Sequence, residues 1–239
     1  MTDSLLKQDR LHQVLNDKTL DAVRSFWFRH IPNDDHIIVP DKEEALVWFS
    51  QNDDYDQDCV ATFGDILDVL KSIDASVADI LAAANPNSAL DWMSLVILLD
   101  QIPRNCFRGP KAGVAYDFFD PLAFEVATRA IKSGIPEQPE VRYRQAYRFW
   151  FYMPLEHSEK LEVQEQLVQE HGKLFSDAHK LMHGLAEDED AVAGCCEGML
   201  QRQEQLDIWE STLRGIAKQH MDTIKEHGRY PHRDEALGR

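Results

Sequence analysis

The sequence predicts an all-α protein, and three observations carry that prediction. Apolar residues recur at spacings of three and four rather than two, which is helical periodicity. Glycine and proline are sparse, at 11 and 10 of 239 residues, so few positions break a helix. No run of Val, Ile and Thr alternates long enough for a strand; Ile37-Ile38-Val39 is too short to build a sheet.

The elements follow in order. Leu20, Val23, Phe26 and Trp27 form an early apolar stripe, and Pro40-Asp41 starts a helix through Glu43, Glu44, Leu46, Val47 and Trp48. Cys59, Phe63, Ile66, Leu67 and Leu70 mark the next. Ser88 caps the helix SALDWMSLVILLD after the break at NPN. Asp120-Pro121 reads as a cap followed by a first-turn proline, opening a helix that stops at Gly134. Arg142 to Tyr152 forms an aromatic-rich helix closed by Pro154, and Ser158 caps a long helix after it. GLAEDEDAVAG is a loop, and a last helix from Met199 to His227 ends at Gly228. Residues 1–18 read as an N-terminal, helical extension and residues 19–239 as one domain, a length able to bury a large core.

Composition narrows the function classes. Lys and Arg number 25 against 42 Asp and Glu, a net charge of −17, which repels phosphate backbones and anionic lipid; no nucleic-acid or membrane partner is expected. Four cysteines, Cys59, Cys106, Cys195 and Cys196, lack both metal spacing and a disulfide pattern, so reduced thiols and a cytoplasmic location are expected. The first ten residues carry charge where a signal peptide needs an apolar stretch, and Leu95 to Leu99, the longest apolar run, is far short of the ~20 residues of a span. Gly-rich phosphate loops and dinucleotide fingerprints are missing, so no cofactor is expected. His179, His183 and Glu187 have metal-like helical spacing, but a solvated helix face explains them better and no metal is expected.

Three polar knots stand out. In ILLDQIPRNCFRG, Pro103 should kink or end the helix near Asp100 to Ile102, and Asp100 in a last turn opposes the helix dipole and calls for Arg104 or Arg108. In YMPLEHSE, His157 precedes a helix start beside a proline-fixed turn and is a candidate proton-transfer group, with Glu159 to tune it. The tail HGRYPHRDEALGR carries Tyr, Pro and Leu among three arginines, as a docked segment would. Folding that joined the knots would build a basic pocket in an acidic shell, its guanidinium forks suited to carboxylate or phosphate.

The segments SFWF, LLDQIPRNCFRG, AYDFFDPLAFEVA, FWFYMPLEHSE and HGRYPHRDEALGR resemble, in that order, the motifs of the domain-of-unknown-function family 924, found in bacteria and fungi. The likeness spans about Leu20 to Arg239. It implies a tetratricopeptide-like αα superhelix, although no period of ~34 residues is visible in the chain. It implies no settled activity. The motif positions carried over are Asp100, Gln101, Arg104, Asn105, Arg108, Tyr152, His157, Ser158, Glu159, Arg229, His232, Arg233 and Arg239; where the family's tail commonly reads Pro-His-Arg-Asn, this chain has Asp234.

Two functions are compatible with these residues. The first is binding of an acidic small molecule or a peptide carboxylate, with Arg104, Arg108, Arg229 and Arg233 holding the anion and Gln101, Asn105, Tyr152, Ser158, His232 and Arg239 completing the pocket. The alternative is a cofactor-independent hydrolase or lyase with His157 as general acid or base beside Asp100 and Glu159. An internal clasp that only holds the helices together would use the same side chains. Nothing in the sequence sets the oligomeric state.

Overall fold

Side-chain caps decide where five of the helices in the first half of the chain begin. The computed structural model describes residues 3–186 and 189–239, and every regular element among them is helical. In chain order these are α1 (Asp3–Val14), α2 (Asp17–Trp27), α3 (Asp34–Ile38), α4 (Lys42–Phe49), α5 (Asp53–Ser72), α6 (Val77–Ala84), α7 (Ala89–Cys106), α8 (Asp120–Lys132), α9 (Gln145–Arg148), α10 (Met153–Glu156), α11 (Leu161–Met182), α12 (Glu189–Gln201), α13 (Gln203–His227) and α14 (Asp234–Leu237). Asp41, Ser76 and Ser88 each accept the N–H three residues on while the acid there accepts theirs, a reciprocal pair that satisfies two orphan donors. Gly228, at φ 69°, closes α13 in the left-handed conformation that a side chain resists.

The structure corrects five local expectations. Pro103 does not end its helix: α7 runs on to Cys106, closed by Phe107 N–H on the Pro103 carbonyl at 2.8 Å. Proline costs a helix interior ~3 kcal/mol, and α7 is buried from Met93 to Pro103, so tertiary packing outweighs that cost. Asp120 is not a cap, because a π-helical turn, Ala115–Phe119, feeds straight into α8 and leaves the Asp120 carboxylate for other partners. Ser158 lies ahead of α11, whose N-cap is Lys160; the Ser158 hydroxyl instead accepts the Lys160 N–H at 3.3 Å. The segment from Arg142 to Tyr152 is not one helix but α9 followed by a 3-10 turn, Phe149–Phe151. The helix expected from Met199 to His227 is interrupted at Arg202, where α13 begins, and its first residues belong to α12, which starts at Glu189 within the expected loop GLAEDEDAVAG. Ile37 and Ile38, the weak strand candidates, lie in α3.

The chain divides into two compact units. The first comprises residues 1–27, 51–129 and 232–239. Its centre is α7, apolar nearly all round, as a helix surrounded by others must be; α2 and α5 pack against it, and α1 packs on α5 and α6. Phe26 sits edge-on to Phe63 at 5.2 Å. The tail is docked, α14 lying on the 3-10 turn Gly109–Lys111.

The second unit comprises residues 28–50 and 130–231. There α11 and α13 pair, α12 packs on α3, α11 and α13, and α10 packs on α11. The core is aromatic: Phe149, Trp150, Phe151 and Phe175 are buried. Fully buried Gln164 on α11 ties down the turn after α10, donating to the carbonyls of Leu155, Glu156 and Ser158 at 3.2, 3.0 and 2.6 Å.

Gly113 marks how closely the tail approaches, because a Cβ there would run into the carbonyl oxygen of Ala236. Gly113→Ala is expected to cost about 1–3 kcal/mol, the usual penalty for overpacking, and to free residues 232–239. Urea unfolding with limited proteolysis of the tail checks both; an alanine variant as stable and as protease-resistant as the native chain contradicts the close approach.

Candidate functional site

The polar end of α7 supplies the first unit's cluster. Asp100 is 1% exposed and Gln101 and Asn105 are also buried. Gln101 donates to Asp100 Oδ2 at 2.6 Å, and Asp100 Oδ1 lies 3.6 Å from Arg104 Nη2. That same Nη2 donates to Asp120 Oδ1 at 2.7 Å, while Arg233 Nη1 reaches Asp120 Oδ2 at 3.3 Å. Two arginines 129 positions apart thus meet on one carboxylate. The Tyr116 ring, one turn before Asp120, faces both guanidiniums, with Cζ of Arg233 at 4.7 Å and of Arg104 at 5.7 Å from its centroid.

Burial opposes the charge on Arg104, but Asp100, Asp120 and Tyr116 outweigh it and hold its pKa above the ordinary value. Its Nε and Nη1 are buried, and neither has a hydrogen-bond partner among the described residues. The remaining motif residues of this unit lie in other contacts. Arg108 is exposed and grips Asp56 with Nε and Nη2 at 2.8 and 2.9 Å, Nη2 also donating to Asn105 Oδ1 at 2.8 Å. Arg239 turns back on Asp234 at 3.1 Å, and His232 is exposed.

In the second unit, His157 lines a cavity of about 520 Å³ together with Glu156. Tyr152 does not line it: its hydroxyl is buried and accepts from Arg148 Nε at 2.9 Å, and burial pushes the phenol's pKa up. Arg148 continues to Asp177 at 2.7 Å, a fully buried guanidinium on a carboxylate. Glu159 accepts the Tyr230 N–H at 3.0 Å, and the Tyr230 hydroxyl donates to the Glu156 carbonyl at 2.6 Å. Arg229 is exposed.

Sequence reasoning missed Glu156, His171 and His220. Glu156 Oε1 lies 3.2 Å from His220 Nδ1. Burial alone would push the Glu156 carboxyl up, but His220, with His157 and His171 beyond it, holds the pKa below the ordinary value. Burial pushes the His171 imidazole down to about 4, Glu156 opposing and Arg214 adding to the shift. One signal was in YMPLEHSE itself, which places an acid directly before His157; the other two histidines sit mid-helix on α11 and α13 and carry no motif.

His36, Asp41 and Glu44 hold ligand-type atoms within 4.8 Å of one another. They form an ion-pair network rather than an open metal site: Asp41 and Glu44 cap α4, and Arg202 donates to His36 Nε2 at 3.0 Å. His179 meets Glu210 at 2.8 Å, His183 bonds the His179 carbonyl, and Glu187 lies outside the described residues.

Helices in two units, a buried arginine–carboxylate cluster and no helix long and apolar enough to cross a membrane among the described residues define an all-α protein with polar chemistry inside it. Residues 23–239 match the family described as "bacterial protein of unknown function (DUF924)", and the chain belongs to that family. It is similar in fold to the solved structure of a protein of unknown function from Agrobacterium tumefaciens, with a TM-score of 0.55 and 22% identity over 92% of this chain and 90% of that one. A search of curated proteins finds no match.

Two outcomes test this geometry. Asp120→Ala leaves buried guanidiniums without their shared carboxylate and is expected to destabilise the protein by about 3–5 kcal/mol; a loss under ~1 kcal/mol in urea unfolding contradicts the shared contact. For His171, the folded pKa of about 4 lies below the ordinary ~6.5. The unfolded chain therefore binds a proton between those values that the folded chain does not. The associated stability is complete above ~6.5 and declines as pH falls, by about 2 kcal/mol between pH 7 and pH 5. Urea titrations at the two pH values should show a smaller drop in His171→Gln; equal drops would place the imidazole in solvent.

Proposed function

We propose that the protein binds an acidic small molecule, or the carboxylate end of a peptide, through Arg104 with Arg233 beside it. One observation carries the reading: Arg104 Nε and Nη1 are buried donors with no acceptor among the described residues. A buried donor left unsatisfied costs about 1–3 kcal/mol, more when charged, and native structures satisfy such groups with protein, water or ligand. An anion oxygen is the strongest acceptor a guanidinium can meet. Asp100 and Asp120 fix the fork in place from one side, and Gln101 fixes Asp100 in turn. The guanidinium is held before a ligand arrives, which lowers the entropy cost of binding.

The catalytic alternative, a hydrolase or lyase using His157, asks for more than donors. Glu159, its expected tuning group, accepts a backbone N–H from Tyr230.

A panel of mono- and dicarboxylates tests the proposal by thermal unfolding. A ligand at a hundred times its Kd stabilises the fold by about 2.7 kcal/mol, which for a chain of this size raises Tm by about 5–10 °C. Arg104→Lys keeps the charge but loses the fork, and should abolish that rise while circular dichroism remains native. A panel in which no acid raises Tm, or an Arg104→Lys variant that responds like the native chain, overturns the reading.

A further inference from the structure

The second unit's cavity has a different chemistry from the arginine cluster. Its volume of about 520 Å³ is that of a small-molecule site. The wall is mainly apolar, and Phe149 joins two further rings into one surface, edge-on to Phe49 at 6.0 Å and to Trp209 at 5.2 Å. At the rim Leu46, Phe49 and Ile208 are 48, 48 and 46% exposed. Exposed apolar groups gathered round a cavity mouth mark a binding site more often than a solvated surface. Trp209 is 5% exposed, and its indole N–H has no hydrogen-bond partner among the described residues.

Glu156, also 5% exposed, lines the same cavity. Among the described residues, His220 is the one side chain within ion-pair distance of its carboxylate, on Oε1. A buried carboxylate can accept several hydrogen bonds and is costly with few. Ring faces attract cations as well. Both features therefore select the same ligand group, a positively charged donor, and the other charged pair in the lining, Asp41 and Lys42, offset each other in charge.

We propose that this cavity binds an amphipathic amine, its ammonium group on Glu156 and facing the rings of Phe49, Phe149 and Trp209, its hydrocarbon body against Leu213 and Met153. The site is separate in chemistry from the anion reading and does not rest on it. The Glu156 carboxylate rejects an acid of the same length, and an alcohol of that length makes the apolar contacts without the charge.

Titration calorimetry of the full chain with n-octylamine, n-octanol and octanoate tests this. Octylamine is expected to bind one to one, octanol at least tenfold more weakly, and octanoate not measurably. In Glu156→Gln the amine should fall at least tenfold, to the level of the alcohol; in Phe49→Ala both should weaken, the amine more than the alcohol because it also loses a ring face. Octanol binding as tightly as octylamine, or undiminished amine affinity in Glu156→Gln, overturns the proposal. Should Glu156→Gln fail to fold, the native selectivity and Phe49→Ala decide, and a Phe49→Ala chain that binds both ligands like the native one overturns it too.

Discussion

One carboxylate, Asp120, fastens the first unit's polar interior. It accepts Arg104 from the end of α7 and lies within ion-pair distance of Arg233 in the tail, and it can do so because a π-helical turn runs into α8 and spares it from capping. A charge with so little access to water is stable only when paired and hydrogen-bonded. The arrangement thus couples the central helix, the turn bearing Tyr116 and the last residues of the chain, so the tail is part of the fold and not an appendage. Gly113 is the steric counterpart, letting α14 come close enough for Arg233 to reach.

The second unit repeats the principle with different groups. Its aromatic segment from Phe149 to Tyr152 is buried, yet Arg148 beside it is buried too and finds Asp177 and the Tyr152 hydroxyl. Glu156, one turn on, is held ionised by His220. Polar groups at fixed positions in an apolar core discriminate against other packings, because any shift leaves a charge unpaired. Arg104 and Glu156 differ from Arg148 in one respect: Arg104 Nε and Nη1 have no acceptor among the described residues, and Glu156 lines a cavity.

Helical class was legible because it depends on local periodicity and caps, and Ser88, Asp41 and Gly228 behave as their types require. Pro103 misled because helix propensity is a local quantity, and the burial of α7 on all sides is not. Asp120 misled for a related reason, since an Asp-Pro pair looks the same whether it opens a helix or sits inside a continuous one. Asp100, Arg104 and Arg233 were picked out as charges in odd places, and the structure brings all three to one cluster. Their geometry was not readable, and neither was the division of the chain into two units. His171 and His220 escaped notice because each is an ordinary helical residue until tertiary packing sets it near Glu156.

We propose that an acidic ligand completes Arg104, whose Nε and Nη1 are buried and have no acceptor among the described residues. A crystal structure of the chain grown with succinate tests it most directly. Carboxylate oxygens are expected at hydrogen-bond distance, about 2.7–2.9 Å, from Nε and Nη1 of Arg104, with Asp120 still bridging to Arg233. Density showing those nitrogens bonded to backbone carbonyls, with no succinate beside them, would contradict it.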